Sequence, residues 1–207
     1  RAEYVPPISS EYRGYTMLQI PPNGQGITAL MMLNILEDYD LASLDPNSVA
    51  RLHLETEASR MAYAARDRYV ADQRQEDVPV DHMLSAEFAA ELRAQISPDR
   101  AVEAPEATGP AYRDTIYLSV VDKDRNACSF INSLYMPFGT GLTAPRSGVV
   151  LQNRAAGFRV EPGHPNNVAP RKRPLHTIIP GMCMKDGKVA YSYGVMGGGY
   201  QPVGHTH

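Results

Sequence analysis

The sequence predicts an α+β fold with antiparallel strands, on three observations. Helical periodicity is concentrated in residues 27–97, alternating strand-like runs follow residue 114, and no strand–helix–strand alternation connects the two regions. The 207 residues suit one large domain or one and a half small ones, and 43% hydrophobic with 21% charged residues is an ordinary globular profile. Lys+Arg 20 against Asp+Glu 23 leaves a net charge of -3, without the basic field that nucleic-acid or anionic-membrane binding calls for. The longest apolar run, near Ile27–Leu33, falls far short of the roughly 20 residues of a bilayer span, so no membrane span is expected.

In chain order, residues 1–14, with Pro6, Pro7, Ser9, Ser10 and Gly14, read as an extended entry segment before a strand at Tyr15–Ile20. Pro21-Pro22-Asn23-Gly24 ends that strand. From Gly26, apolar residues at helical spacing predict a buried helix to Asp38. The Gly24-Gln25-Gly26 step reads as a tight turn that starts the helix close to the strand, with anion cradling as the weaker alternative. Asp45 as N-cap and Pro46 at the first helical position predict a long helix over Asn47–Val70. Its charges, Glu55 and Glu57 among them, read as a solvated face, and His53 reads as structural. Phe88, Leu92 and Ile96 at i, i+4 and i+8 predict another helix from Ser85 to before Pro98, and Thr108-Gly109-Pro110 reads as a linker.

Alternation over Thr115–Val121 and a second run over Ala127–Leu134 predict a hairpin through Asp122-Lys123-Asp124-Arg125-Asn126. Symmetry about Asp124 pairs Val121 with Ala127, Ser119 with Ser129 and Thr115 with Ser133. Gly148–Gln152 reads as a short strand. Leu175–Met184 and Val189–Met196 flank the hairpin signal Asp186-Gly187, and Gly197-Gly198-Gly199 follows. Arg171-Lys172-Arg173 reads as a solvated loop, and the lone Cys128 and Cys183 as core residues.

Three of these features converge on one chemistry. A threonine that starts a strand becomes a competent nucleophile if the preceding peptide bond is cut, because its freed α-amine serves as general base. Ser133 across the hairpin would orient the Thr115 hydroxyl, and backbone N–H groups of the glycine turn would receive a tetrahedral oxyanion. The structural alternative is an ordinary cross-strand pair and an ordinary turn.

The stretch Thr115-Ile116-Tyr117-Leu118-Ser119-Val120-Val121-Asp122-Lys123-Asp124 resembles the start of the small subunit of γ-glutamyltranspeptidases. Other blocks agree in order: Pro21-Pro22-Asn23-Gly24-Gln25-Gly26-Ile27, Leu33–Glu37, Phe138-Gly139-Thr140-Gly141, Lys172-Arg173-Pro174-Leu175 and Met196-Gly197-Gly198-Gly199. The resemblance implies an N-terminal-nucleophile hydrolase with a four-layer αββα sandwich, incomplete in this chain. Residues 1–114 would be the C-terminal part of a large subunit and residues 115–207 the N-terminal part of the small catalytic subunit of one precursor. It further implies Thr115 as nucleophile, Asp114-Thr115 as the self-cleaved bond, Ser133 as support, and Gly197 and Gly198 as oxyanion donors. No cofactor and no metal are implied. The partners would be a small amide substrate and water or an amine acceptor, with a homo-oligomer left open and no nucleic acid. Both ends look cut, consistent with part of a longer protein. A soluble protein is expected, with its compartment, cytoplasmic or periplasmic, left open.

The departures suggest an acylase-like branch. The family segment for the glutamyl amine carries two acidic residues, whereas Gln152-Asn153-Arg154-Ala155-Ala156-Gly157-Phe158 carries none. The family's paired serines are His176 and Thr177, and its asparagine beyond the supporting hydroxyl is Tyr135. Arg154 would favour an anion, such as a glutaryl-type acyl group, with a surface charge as its alternative. The competing readings are a non-catalytic or unprocessed homologue acting as a binding protein, and a metal hydrolase built on His164, His205 and His207.

Overall fold

A computed structural model describes residues 3–102 and 115–207. The chain begins with a hairpin, β1 (Ile8–Tyr12) and β2 (Tyr15–Gln19), and continues through α1 (Gly26–Leu36), α2 (Val49–Tyr69), α3 (Val80–Met83) and α4 (Ala86–Arg93). A second hairpin, β3 (Ile116–Val121) and β4 (Ala127–Asn132), precedes a long loop. A third, β5 (Gly181–Lys185) and β6 (Lys188–Tyr193), leads through a 3-10 turn at Gly198–Tyr200 into α5 (Gln201–Thr206). The class is therefore mixed helix and antiparallel sheet, as expected.

One sheet has the order β1-β2-β5-β6, and β3-β4 forms a separate two-stranded sheet. The larger sheet joins strands from both ends of the chain, since Met17 pairs with Cys183 and Leu18 with Met182. The entry segment thus contains a strand that its proline and serine content concealed. Ile8, Ser10 and Tyr12 are half-buried while Ser9 and Glu11 are exposed, a period-2 pattern closed by a turn with Arg13 at φ 50° and Gly14 at φ 81°.

α1 is the centre of the core. It packs against β1 and β2 on one side and against α2, α4 and α5 on others, and all its residues except Asn34 are buried. Each buried Ile, Leu or Met contributes about 1.5–3 kcal/mol relative to exposure. The helix starts at Gly26 because strand and helix nearly touch there: a Cβ at Gly26 would lie 2.8 Å from the Gln19 Cβ. At the other end Arg93 donates to the carbonyls of Asn34 and Ile35, both at 2.8 Å, satisfying acceptors the helix leaves open.

Several sequence expectations shift. α2 is capped by Ser48, whose hydroxyl accepts from the Arg51 N–H at 3.2 Å, while Asp45 closes the preceding turn onto the Asn47 N–H. Glu55 and Glu57 are buried, not solvated, because Arg51 reaches forward to Glu55, Arg60 reaches back to Glu57, and Glu57 also accepts from the Val102 N–H at 2.8 Å. His53 is structural, its Nε2 bonded to the Ser97 carbonyl at 2.7 Å. Gly148–Gln152 is not a strand; only an isolated bridge, Thr143 to Val150, forms there. Arg171-Lys172-Arg173 is not simply a solvated loop: Lys172 is buried against Glu76, and Arg173 grips the fully buried Asp72 at 2.9 Å. Cys183 is a core residue, but Cys128 is exposed on the outward face of β4. The Thr108-Gly109-Pro110 linker lies outside the described residues.

Gly26→Ala forces β2 and α1 apart and is expected to cost about 1–3 kcal/mol. A denaturant titration of the full-length protein checks this, an unchanged midpoint being the contrary result.

Candidate active site

The β3-β4 register is the expected one, with Val121 opposite Ala127 and Ser119 opposite Ser129. Just beyond the last paired residues, Thr115 Oγ1 donates to Ser133 Oγ at 3.3 Å. Ser133 Oγ also accepts from the Tyr135 N–H at 2.9 Å, where Tyr135 takes a left-handed backbone with φ 81°. Asn153 ties this corner to the next loop, its side chain accepting from the Met136 N–H at 3.0 Å and its own N–H donating to the Leu134 carbonyl at 3.1 Å. Asp114, on the other side of the expected scissile bond, lies outside the described residues.

The hairpin is seated on the larger sheet by Tyr117. Its hydroxyl bonds Ser129 at 3.0 Å and Ser192 of β6 at 3.3 Å, and its ring occupies the space beside Gly194, where a Cβ would lie 2.5 Å away. Ser129 Oγ donates to the Tyr193 carbonyl at 3.3 Å. Thr115 therefore lies two residues from this junction, and the Gly197-Gly198 turn begins three residues beyond it. Gly197 and Gly198 have φ 130° and 55°, backbone shapes that favour glycine.

Arg154 is buried, so the surface-charge alternative is set aside. Its Nη1 donates to Thr177 Oγ1 at 2.9 Å, its Nε to Gln152 Oε1 at 3.1 Å, and its guanidinium lies 5.0 Å from the Tyr135 ring centroid. Nη2 is buried without a hydrogen-bond partner among the described residues. Burial pulls the Arg154 pKa down to about 10, which leaves it cationic at neutral pH. His176 lies within reach of the same positive field: burial first, then Arg154 and Arg173, push it down to about 3, so its ring is neutral. Its backbone pairs with the α1 entry, its N–H donating to the Asn23 carbonyl at 2.8 Å and its carbonyl accepting from the Gln25 N–H at 2.9 Å. Gly157 is closely packed, since a Cβ there would lie 3.3 Å from the Leu175 carbonyl oxygen. A carboxylate at that position would have little space.

The expected site residues thus gather into two linked groups, Thr115 with Ser133 and Tyr135, and Arg154 with Thr177 and His176. Sequence reasoning missed Gln25, Tyr63, Arg66, Tyr117 and Gly194. Gln25 was visible only as the middle of a glycine turn, and Tyr63 and Arg66 only as members of a mixed-polarity helix. His164, His205 and His207 do not assemble: His205 Nδ1 faces Gln19 Nε2 at 3.0 Å, His207 pairs with Glu55, and His164 accepts from the Asn166 N–H. Among the described residues no cluster of His, Cys, Asp and Glu could hold a metal ion, and no helix is long and apolar enough to cross a membrane.

The mixed helix and antiparallel-sheet fold places the chain among proteins of the acylase and transpeptidase type. It belongs to the gamma-glutamyltranspeptidase family, whose model matches residues 1–207. The glutathione hydrolase-like YwrD proenzyme of Bacillus subtilis (strain 168) is 40% identical over 206 residues, covering 100% of this chain and 39% of that protein. The oxamate amidohydrolase proenzyme of Klebsiella pneumoniae is 36% identical over 203 residues, covering 98% of this chain and 38% of that protein. The crystal structure of a cephalosporin acylase from Bacillus halodurans superposes with a TM-score of 0.88 at 41% identity, over 99% of this chain and 37% of that one. This chain therefore spans under two fifths of the length of these relatives, and relatives of this kind are made as proenzymes.

Two tests follow from this geometry. Gly194→Ala drives a methyl group into the Tyr117 ring and is expected to lower activity of the full-length enzyme, with a second substitution, Tyr117→Leu, relieving the clash and restoring part of it; steady-state rates decide. Burial holds His205 at about 4, against 6.5 for an ordinary histidine. The unfolded chain then takes up a proton near pH 6.5 that the folded chain refuses until about pH 4, so this group's contribution to stability declines as pH falls through that window. His205→Phe is expected to flatten the decline in unfolding free energy measured between those pH values, and an unaltered slope contradicts it.

Proposed function

We propose that this chain carries the nucleophile half of a self-processing amide-cleaving enzyme that works through an acyl-threonine. The observation that carries the reading is the 3.3 Å hydrogen bond from Thr115 Oγ1 to Ser133 Oγ, at the hairpin mouth where a new N-terminus would arise. In maturation, Thr115 Oγ1 attacks the Asp114 carbonyl, and the resulting ester is hydrolysed to free the Thr115 α-amine. In turnover that amine takes the hydroxyl proton as Oγ1 attacks the substrate carbonyl. The N–H groups of Gly197 and Gly198 stabilise the oxyanion, and the tetrahedral species collapses to an ester as the amine leaves with the proton. Water or an acceptor amine then releases the acyl group. The remainder of a four-layer αββα sandwich would be supplied by the rest of the enzyme.

For the acyl donor we favour a group ending in a carboxylate without an α-ammonium, such as glutaryl, over a γ-glutamyl group. A buried cation without a carboxylate partner among the described residues suits an anion, whereas Ala156 and Gly157 offer nothing to an ammonium group. The non-catalytic alternative predicts a single uncut chain after long incubation. Thr115→Ala is expected to abolish both chain cleavage, seen by denaturing electrophoresis, and amide hydrolysis; a processed Thr115→Ala protein would refute the assignment. Among anilides, glutaryl is expected to exceed γ-glutamyl and plain aliphatic donors. Arg154→Gln should erase the preference over plain aliphatic donors by about 10- to 100-fold in kcat/KM, the scale of one or two hydrogen bonds to a charge, while the margin over γ-glutamyl, which carries the same carboxylate, persists.

A further inference from the structure

Three successive carbonyls of the glycine turn are held, two of them by residues from the opposite end of the chain. Gln25 is fully buried. Its Nε2 donates to the Thr177 carbonyl at 2.7 Å and to the Gly198 carbonyl at 2.8 Å, while its Oε1 accepts from Arg66 Nη1 at 2.9 Å. Arg66 is itself fixed, with its Nε on Asp67 Oδ1 at 2.8 Å and its guanidinium 4.4 Å from the Tyr63 ring centroid. The Tyr63 hydroxyl donates to the Gly199 carbonyl, and the Tyr200 N–H donates to the Gly197 carbonyl at 2.9 Å.

Each carbonyl shares a rigid plane with the N–H of the following residue. Tyr200 therefore orients the 197–198 peptide that carries the Gly198 N–H, while Gln25 and Tyr63 fix the next two peptides, 198–199 and 199–200, and so hold the Gly198 backbone from its carbonyl side. Glycines lack the side chains that would otherwise restrict these planes, so hydrogen bonds must do so. The Gln25 amide has only one workable orientation: reversed, its NH2 would face the Arg66 donors and its oxygen would face two carbonyls. Burial pushes the Tyr63 phenol up to about 12, so it remains a donor throughout the neutral range.

We infer that Gln25, backed by Arg66 and supported by Tyr63, is a positioning residue for the oxyanion turn. The inference rests on the acyl-threonine reading above. Its consequence is kinetic: the residue stabilises the tetrahedral state and leaves ground-state binding almost unchanged.

The test uses the full-length matured enzyme with Gln25→Met, which keeps the length but not the donors, and Tyr63→Phe, which removes one hydroxyl. Steady-state kinetics with an anilide donor are read beside inhibition by an alkyl boronic acid, whose boron binds Thr115 Oγ1 and becomes tetrahedral as the hydroxyl proton passes to the α-amine. Gln25→Met is expected to lower kcat by about 10- to 100-fold, below the roughly 100- to 1,000-fold of deleting an oxyanion donor outright. KM stays within about twofold, and boronate affinity falls in parallel with kcat/KM. Tyr63→Phe gives the same pattern at roughly 3- to 10-fold, and decides the question if Gln25→Met does not fold. Folded variants with unchanged kcat and boronate affinity, or with the loss confined to KM, overturn the inference. Turnover by Thr115→Ala would instead overturn the acyl-threonine reading itself, so the two failures are distinguishable.

Discussion

The buried amide of Gln25 is the contact on which the candidate site depends. A primary amide offers two donors and an acceptor in one plane, and here all are used in a region from which water is excluded. The contact is possible only because Gly26 lets α1 begin against β2, which sets Gln25 at the junction of sheet, helices and loops. From that point the loop before β5 is held at Thr177 and at the His176 backbone, and the glycine turn is held at Gly198. The threonine hairpin is tied separately to β6 and to the residues just before the glycine turn, through Tyr117 and the gap left at Gly194.

Polar burial gives the site its electrostatic character. Arg154 stays charged and His176 becomes neutral under the same desolvation, which opposes both cations but starts from very different intrinsic affinities for protons. A neutral His176 adds no competing charge where the guanidinium lies. The loop that carries these residues is itself anchored by ion pairs, Arg173 with Asp72 and Lys172 with Glu76, so its position follows from the segment after α2 and not from its own irregular sequence.

Features that repeat along the chain were legible in the sequence. The helix at Gly26 and the hairpin register that brings Thr115 to Ser133 follow from apolar periodicity and turn symmetry, which are local properties. What escaped was decided by distant partners. Strand β1 is made by pairing with β2 more than by the composition of Ile8–Tyr12, and Glu57 is buried because Arg60 and the Val102 N–H meet it. Gln25 is the clearest case. Its neighbours in sequence describe a turn, while all three of its side-chain partners lie at least 41 residues away.

The ladder between β2 and β5 gives the larger sheet an unusual property. Its two inner strands come from opposite sides of residue 115, and Gln25 crosses the same divide to reach Thr177 and Gly198. Cutting the backbone before Thr115 would thus liberate an amine without severing the architecture around it. The pieces would stay interlocked through main-chain pairing and one shared interior, so a covalent break could switch on reactivity at almost no structural expense.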